Sequence, residues 1–113
     1  MLQTFDIDGH TLAARALNPG AAGEPIILLH GLGHSVDFWR RETLLTGYGP
    51  CYALSLPGHY PARAPRWMQP DDLSVELIVR LLAAAIGELT GGRPATLAGI
   101  STGGFAALAL AER

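Results

Sequence analysis

The segment that most constrains the fold of this chain is residues 95–105, in which a serine stands between two glycines. A short β-prone run leads into residues 99–103, and an alanine-rich amphipathic stretch follows at once. This order predicts a strand, a sharp turn and a helix. In such a turn the chain passes so close to the serine that only glycine fits at Gly99 and Gly103. The turn exposes the Ser101 hydroxyl, and the first amides of the helix point at the same place, where they can hold an anion.

Composition and charge exclude several classes of protein. Hydrophobic residues make up 49% and charged residues 16% of the 113 residues, which is enough apolar material for the core of one domain. The net charge of -2 and the lack of a basic stripe argue against nucleic-acid binding. The chain shows no signal-peptide pattern and no apolar run of membrane-spanning length, so we expect a cytoplasmic protein with a small-molecule partner. All eight basic residues are arginine and alanine is frequent, a bias typical of a bacterial coding sequence.

Along the chain, the predicted elements alternate between strands and helices after an opening hairpin. The Asp8-Gly9 pair predicts a tight turn between antiparallel strands at residues 2–7 and 11–17. Further strands are predicted at residues 25–29, 51–56 and 95–98, and helices from His34 or Ser35 towards Leu45, from Asp71 to the Gly91-Gly92 pair, and over residues 102–113. Residues 57–70 are rich in proline and predict an irregular surface segment. The order is typical of an α/β fold in which an antiparallel hairpin precedes parallel strands with right-handed crossover helices.

The chain offers no predicted metal or cofactor site. Its single cysteine, Cys51, lies in an apolar strand-like run, which predicts a buried and inert thiol. No group of cysteine, histidine and carboxylate residues has the spacing of metal ligands. We therefore expect neither a metal ion nor a cofactor to take part in the chemistry.

A second glycine-rich turn, His-Gly-Leu-Gly-His-Ser at residues 30–35, follows the earlier strand. An oxyanion hole needs two backbone amides aimed at one point, and the two turns can supply those of Leu32 and Thr102. Two alternatives remain open. Both turns could serve topology alone, or residues 99–104 could hold a phosphate at the helix N-terminus, although the lysine of a P-loop is absent.

Three segments occur in an order and at separations known from one family: IILLHGLGHS at residues 26–35, LSLPGH at residues 54–59, and LAGISTGG at residues 97–104. Together they resemble the esterase-like and acyl-hydrolase-like members of the α/β-hydrolase superfamily. The resemblance implies that Ser101 is the nucleophile, that the Leu32 and Thr102 amides stabilise the oxyanion, and that the substrate is an ester, a thioester or a related acyl compound. The two turns would be supported by His30, Gly31, Gly33, Gly99 and Gly103.

The family's turn that carries the nucleophile, here residues 99–103, is called the nucleophile elbow. A serine at this elbow disfavours the dehalogenase and epoxide-hydrolase branches, which resemble this fold but use a carboxylate as the nucleophile.

The resemblance covers only the N-terminal half of the family's catalytic domain. In that domain the acid and the histidine follow the serine, whereas residues 102–113 contain Glu112 and no histidine. A serine hydroxyl is a poor nucleophile until a base removes its proton. We therefore expect residues 1–113 to be a partial domain, with a sheet incomplete on its C-terminal side. The chain alone is expected to be inactive, either as a truncated fragment or as a split half that needs a complementing C-terminal half.

The other histidines are expected to have supporting roles. His30 is expected to anchor its own turn by hydrogen bonding, and His59 to belong to the turn after the fourth strand. His34 borders the predicted oxyanion site, so we expect it to line the substrate site rather than to act as the general base. The family usually places an aspartate where Ser55 stands, which predicts a local change in hydrogen bonding.

Large apolar side chains beside the second turn are a further group of candidates. Trp39, next to Phe38, could line an acyl pocket, but packing in the core is the favoured interpretation. Trp67 and Met68, in the proline-rich segment, are expected to pack over the edge of the sheet.

Overall fold

The computed structural model describes residues 2–42 and 44–112, which form one open five-stranded sheet with helices against it. The strands are β1 (Leu2–Ile7), β2 (His10–Ala16), β3 (Ile26–Leu29), β4 (Cys51–Leu54) and β5 (Thr96–Gly99), and the α-helices are α1 (Val75–Thr90) and α2 (Thr102–Ala111). Three short 3₁₀ helices lie at Val36–Trp39, Leu45–Gly47 and Pro70–Asp72. Arg113, the last residue of the predicted final helix, lies outside the described residues.

The sheet has the strand order β1-β2-β4-β3-β5. β1 and β2 form the predicted hairpin, in which Asp8 and Gly9 both have positive φ (50° and 84°), as a two-residue type I′ turn requires. β2 also pairs antiparallel with β4, whereas β4, β3 and β5 run parallel. Leu29 is in register with Leu54 and with Gly99, so the three parallel strands end at one edge of the sheet. The predicted α/β fold, incomplete on the β5 side, is confirmed.

The central strand β3 is buried on both faces, as its unbroken apolar sequence predicts. Ile27 and Leu29 belong to the larger core, which includes Leu82 of α1. Leu28 belongs to a smaller core on the opposite face, against which Trp39 packs. Core packing, the favoured interpretation for Trp39, is therefore confirmed.

Helix α1 begins later than predicted. Ser74 caps it by accepting a 3.1 Å hydrogen bond from the Leu77 amide, and Gly91 ends it at φ 64°. Asp72, which we predicted within the first helical turn, instead accepts a 2.9 Å hydrogen bond from the Gln69 amide in the preceding 3₁₀ turn. The prediction of a start at Asp71 was wrong because the Ser74 hydroxyl provides the cap.

The short helix predicted from His34 or Ser35 towards Leu45 is confirmed at its start and wrong in its extent. Ser35 does open a helix, by accepting a 3.2 Å hydrogen bond from the Asp37 amide, but that helix is a single 3₁₀ turn. Further on, the Glu42 carboxylate accepts a 2.7 Å hydrogen bond from the Leu45 amide. Such side-chain bonds to the backbone compete with continuous helix formation.

Two further predictions concern single side chains. Cys51 is fully buried, as predicted, and burial, followed by the nearby Glu42 carboxylate, raises the pKa of its thiol, which disfavours the reactive thiolate. Trp67 is 72% exposed, and the predicted packing of this ring over the sheet edge was wrong.

Candidate active site

Ser101 lies in the turn between β5 and α2 with φ 55° and ψ -121°. Among the described residues, only Asp8 and Ser101 combine a side chain with a positive φ. A residue held in such a conformation stores about 1–3 kcal/mol of strain, which the surrounding structure must sustain. The residue itself is exposed, so the strained turn presents the hydroxyl group to the surface at the carboxyl end of the sheet.

The flanking glycines permit a backbone packing that no side chain would allow. A Cβ atom built on Gly99 would overlap the Gly103 carbonyl, and one built on Gly103 would overlap the carbonyl oxygens of Leu29 and His30. The first turn of α2 therefore lies directly against the end of β3. This contact is the reason that the Gly-x-Ser-x-Gly pattern has glycine at both positions.

The turn after β3 reaches the same place. A Cβ atom on Gly31 would lie 3.4 Å from the Cβ of Ser101 and 3.4 Å from the His34 ring, so the two glycine-rich turns touch. In the part of the chain that the structure describes, neither the Leu32 amide nor the Thr102 amide donates a hydrogen bond. The structure thus brings an exposed serine and two free amides into adjacent turns, as an oxyanion site would require.

A family comparison agrees with this architecture. Residues 26–113 match the profile of the Alpha/beta hydrolase family. The chain belongs to this family. No curated protein sequence matches it significantly.

Solved structures similar to this α/β hydrolase are named epoxide hydrolases. The Cif epoxide hydrolase from Acinetobacter nosocomialis is 27% identical with a TM-score of 0.76, over 96% of this chain and 33% of its own. The epoxide hydrolase VrEH1 from Vigna radiata is 20% identical with a TM-score of 0.82, over 97% of this chain and 33% of its own. The Aspergillus niger epoxide hydrolase is 23% identical with a TM-score of 0.79, over 96% of this chain and 30% of its own. The present α/β hydrolase chain spans about a third of the length of the structures it matches.

His30 directly follows β3 in this α/β hydrolase, and its side chain is fully buried. Its Nδ1 lies 2.8 Å from the Gly31 carbonyl oxygen, which is the contact expected of a histidine that anchors its own turn. Its Nε2 accepts a 3.0 Å hydrogen bond from the Leu56 amide. Burial, and after it the neighbouring His59 and His34, lower the pKa of His30, outweighing the opposite effect of the bond to Gly31. The bond to Leu56 was not predicted, because nothing in the sequence pairs a β3-end histidine with the chain after β4.

A pocket of about 580 Å³ lies between residues 33–38, which include part of the turn after β3, and residues 58–60, and its lining does not include Ser101. His34 lines it, with its ring 4.6 Å from the ring of Phe38, and His59 lies opposite in the turn after β4. The placement of His34 suits the predicted substrate-lining role. The pocket lining does not include Trp39, whose ring packs against the smaller core.

Ser55, which stands where the family usually has an aspartate, bonds to the backbone of β2. It is fully buried, its hydroxyl oxygen accepts a 2.9 Å bond from the Ala13 amide, and its own amide donates a 2.8 Å bond to the Ala13 carbonyl. The side chain therefore ties β2 to the end of β4.

We expect Ser55→Ala to lower the free energy of unfolding by about 1–3 kcal/mol, because it leaves the buried Ala13 amide without an acceptor. Urea denaturation followed by circular dichroism measures the change. The matched control is Ser35→Ala, which removes a longer, exposed hydrogen bond and should cost markedly less. Equal losses in the two variants would contradict the role of Ser55.

The described residues contain neither a cluster of metal ligands nor a membrane-spanning helix. Residues 2–42 and 44–112 contain no cluster of three or more histidine, cysteine or acidic residues able to hold a metal ion. Within the same ranges, no helix has the length and apolar character needed to cross a membrane.

Proposed function

We propose that this chain supplies the nucleophile and the oxyanion hole of a serine hydrolase that cleaves an ester, a thioester or a related acyl bond. The observation that carries the proposal is the contact between the two glycine-rich turns, which puts Gly31 against Ser101 beside the free amides of Leu32 and Thr102. In this reaction the Ser101 oxygen attacks the carbonyl carbon of a small-molecule acyl substrate. The carbonyl oxygen becomes an oxyanion, which the two amides stabilise until the leaving group departs.

The serine favours acyl transfer over epoxide opening, the activity for which the similar proteins of known structure are named. Attack of a serine oxygen on a carbonyl gives an acyl-enzyme ester, which water can hydrolyse through a second oxyanion. Attack of the same oxygen on an epoxide carbon would give an ether, which has no carbonyl for water to attack. Covalent turnover of an epoxide through the residue in this turn needs a carboxylate, whose ester with the substrate water can hydrolyse, and the turn carries Ser101 instead.

The general base of this reaction must come from outside the described residues. Within these residues the Ser101 hydroxyl has no hydrogen bond to a base, and no histidine follows Ser101 in the sequence. The ring of His34, whose loop borders the proposed oxyanion hole, packs against Phe38. We therefore propose that a C-terminal half, which completes the family's domain, contributes the histidine and its acidic partner.

The free edge of β5 is the place where such a half would join. In the described part of the chain β5 pairs with β3 alone, and a groove of about 720 Å³ lies among α1, β5 and α2. Apolar side chains from α1, β5 and α2 line the groove, including Ile86, Leu97 and Leu110. A parallel strand paired with β5 and covered by a helix would satisfy the unpaired backbone groups and bury these side chains.

A titration with phenylboronic acid, followed by ¹¹B NMR, tests the nucleophile without needing the base. Boron accepts an electron pair from the Ser101 oxygen, the hydroxyl proton passes to solvent, and a tetrahedral boronate resembling the acyl-transfer intermediate forms. We expect a tetrahedral boron signal with the native chain at millimolar reagent and none with Ser101→Ala. The control variant is Ser74→Ala, which removes a serine hydroxyl at the start of α1, outside both turns, and should keep the signal.

A signal that persists in Ser101→Ala would overturn the assignment of the nucleophile. A parallel titration with inorganic phosphate tests the phosphate-binding alternative. Tight phosphate binding by the amides of residues 102–104, without any boronate adduct, would favour a binding module over a hydrolase.

A further inference from the structure

We infer that His30 is the positioning residue of the oxyanion hole: its neutral imidazole holds the Gly31-Leu32 peptide group in the orientation that frees the Leu32 amide. This inference rests on the proposed function, in which that amide binds the oxyanion. It goes beyond an anchoring role because it assigns each ring nitrogen a separate task.

The peptide group between Gly31 and Leu32 links the histidine to the oxyanion. In a trans peptide the carbonyl of one residue and the amide of the next point in opposite directions. The Gly31 carbonyl oxygen has two donors, the ring Nδ1 of His30 at 2.8 Å and the His34 amide at 3.1 Å. Two donors on the carbonyl fix the plane of the group, so the Leu32 amide points away from His30 and finds no acceptor among the described residues. Donation to the carbonyl also polarises the group and makes its N–H a stronger donor.

The other ring nitrogen fixes the tautomer. A backbone amide can only donate, so the Leu56 amide, 3.0 Å from Nε2, requires a lone pair on that nitrogen. The single proton of the neutral ring must then lie on Nδ1, where it points at the Gly31 carbonyl. Because His30 is fully buried, water cannot replace either partner. The segment after β4 therefore determines which tautomer His30 adopts. That tautomer in turn orients the turn after β3.

A protonated ring would disrupt this arrangement. A proton on Nε2 would face the Leu56 amide, so two donors would oppose each other and the ring would have to shift away from Gly31. Two other titratable side chains face His30: His59, whose ring centroid lies 5.1 Å from that of His30, and His34. A positive charge on either of these rings disfavours protonation of His30. Together with burial they lower the pKa of His30, so the neutral ring persists at neutral pH. As the pH falls below the ordinary histidine value of 6.5, the unfolded chain takes up a proton at His30 before the folded chain does, so the free energy of unfolding decreases while the folded ring stays neutral.

Two variants separate the tasks of the ring nitrogens. Asparagine places a side-chain N–H where Nδ1 lies, so His30→Asn keeps the donor to Gly31 and loses the acceptor for Leu56. Glutamine places an oxygen where Nε2 lies, so His30→Gln keeps that acceptor and loses the donor. If His30 only filled space, the smaller asparagine would be at least as disruptive as glutamine, which is the opposite of the order that the positioning role predicts.

The first readout needs no variant: ¹⁵N NMR of the His30 ring in the native chain. We expect a protonated Nδ1, an unprotonated Nε2 and a measurable coupling between Nε2 and the Leu56 amide. A ring protonated at Nε2 would overturn the inference.

The second readout is the affinity for phenylboronic acid together with the amide shift of Leu32. We expect His30→Asn to keep the affinity within about threefold and His30→Gln to lose about tenfold, the effect of one lost hydrogen bond. The native chain should keep its affinity, relative to His30→Asn at the same pH, through pH 6.5 and lose it only at lower pH, where the folded ring itself takes up a proton. Equal losses in both variants, or a pH-independent ratio, would reduce His30 to a packing residue.

The proposed function and the role of His30 can fail separately. If the native chain forms no boronate adduct, the proposed function fails. The Leu32 amide shift still tests His30, because it should move in His30→Gln and stay near the native value in His30→Asn. An unchanged shift in both variants would overturn the positioning role alone.

Discussion

Gly103→Ala will lower the free energy of unfolding by at least about 3 kcal/mol, the upper range for a side chain forced into a packed site. The added methyl group would overlap the carbonyl oxygens of Leu29 and His30, which are backbone atoms and cannot rotate away. Relief would require α2 to move off the end of β3, and with it the Ser101 turn. Thermal or urea denaturation followed by circular dichroism measures the loss.

The neighbouring Gly104→Ala is the matched control. A methyl group there would meet the Gly99 carbonyl oxygen at 3.6 Å, an ordinary contact, and Gly104 lies within α2. Alanine is favoured over glycine in a helix by about 0.5–1 kcal/mol, so this variant should be slightly more stable than the native chain. Similar destabilisation in the two variants would show that the elbow is not packed as described.

The second large effect concerns catalysis. Purified chain should hydrolyse a generic aryl ester no faster than its Ser101→Ala variant, because the described residues offer Ser101 no base. In a serine hydrolase, loss of the histidine base lowers kcat by a factor of about 10⁶, which brings the activity below the detection limit of an ordinary assay. A spectrophotometric assay of 4-nitrophenyl acetate, with both proteins at equal concentration, makes the comparison. Robust turnover that Ser101→Ala abolishes would mean that a base is present in this chain after all.

Much of this fold follows from short-range signals in the sequence. The Asp8-Gly9 turn has positive φ at both residues, which only a few residue pairs tolerate, so the hairpin register could be predicted. The apolar run of β3 predicts a strand covered on both faces, and its residues are fully buried. Gly99 and Gly103 mark the elbow because the backbone contacts there exclude any side chain.

The errors arose where two local signals competed or where the partner is distant in sequence. Asp71 and Ser74 are both plausible helix caps, and the structure uses the Ser74 hydroxyl. The Glu42 side chain takes the Leu45 amide, so the segment after β3 forms 3₁₀ turns instead of a continuous helix. The bond between His30 and the Leu56 amide joins residues 26 positions apart, and only the parallel pairing of β3 with β4 brings them together.

The central claim is that the turns after β3 and β5 together hold an oxyanion formed at Ser101. The most direct measurement is the pair of amide proton shifts of Leu32 and Thr102 in ¹H–¹⁵N spectra as the phenylboronate adduct forms. We predict that both amides shift downfield together with the tetrahedral boron signal, and that neither shifts in Ser101→Ala. An adduct that forms on Ser101 without moving the Leu32 amide would contradict an oxyanion hole built from the two turns.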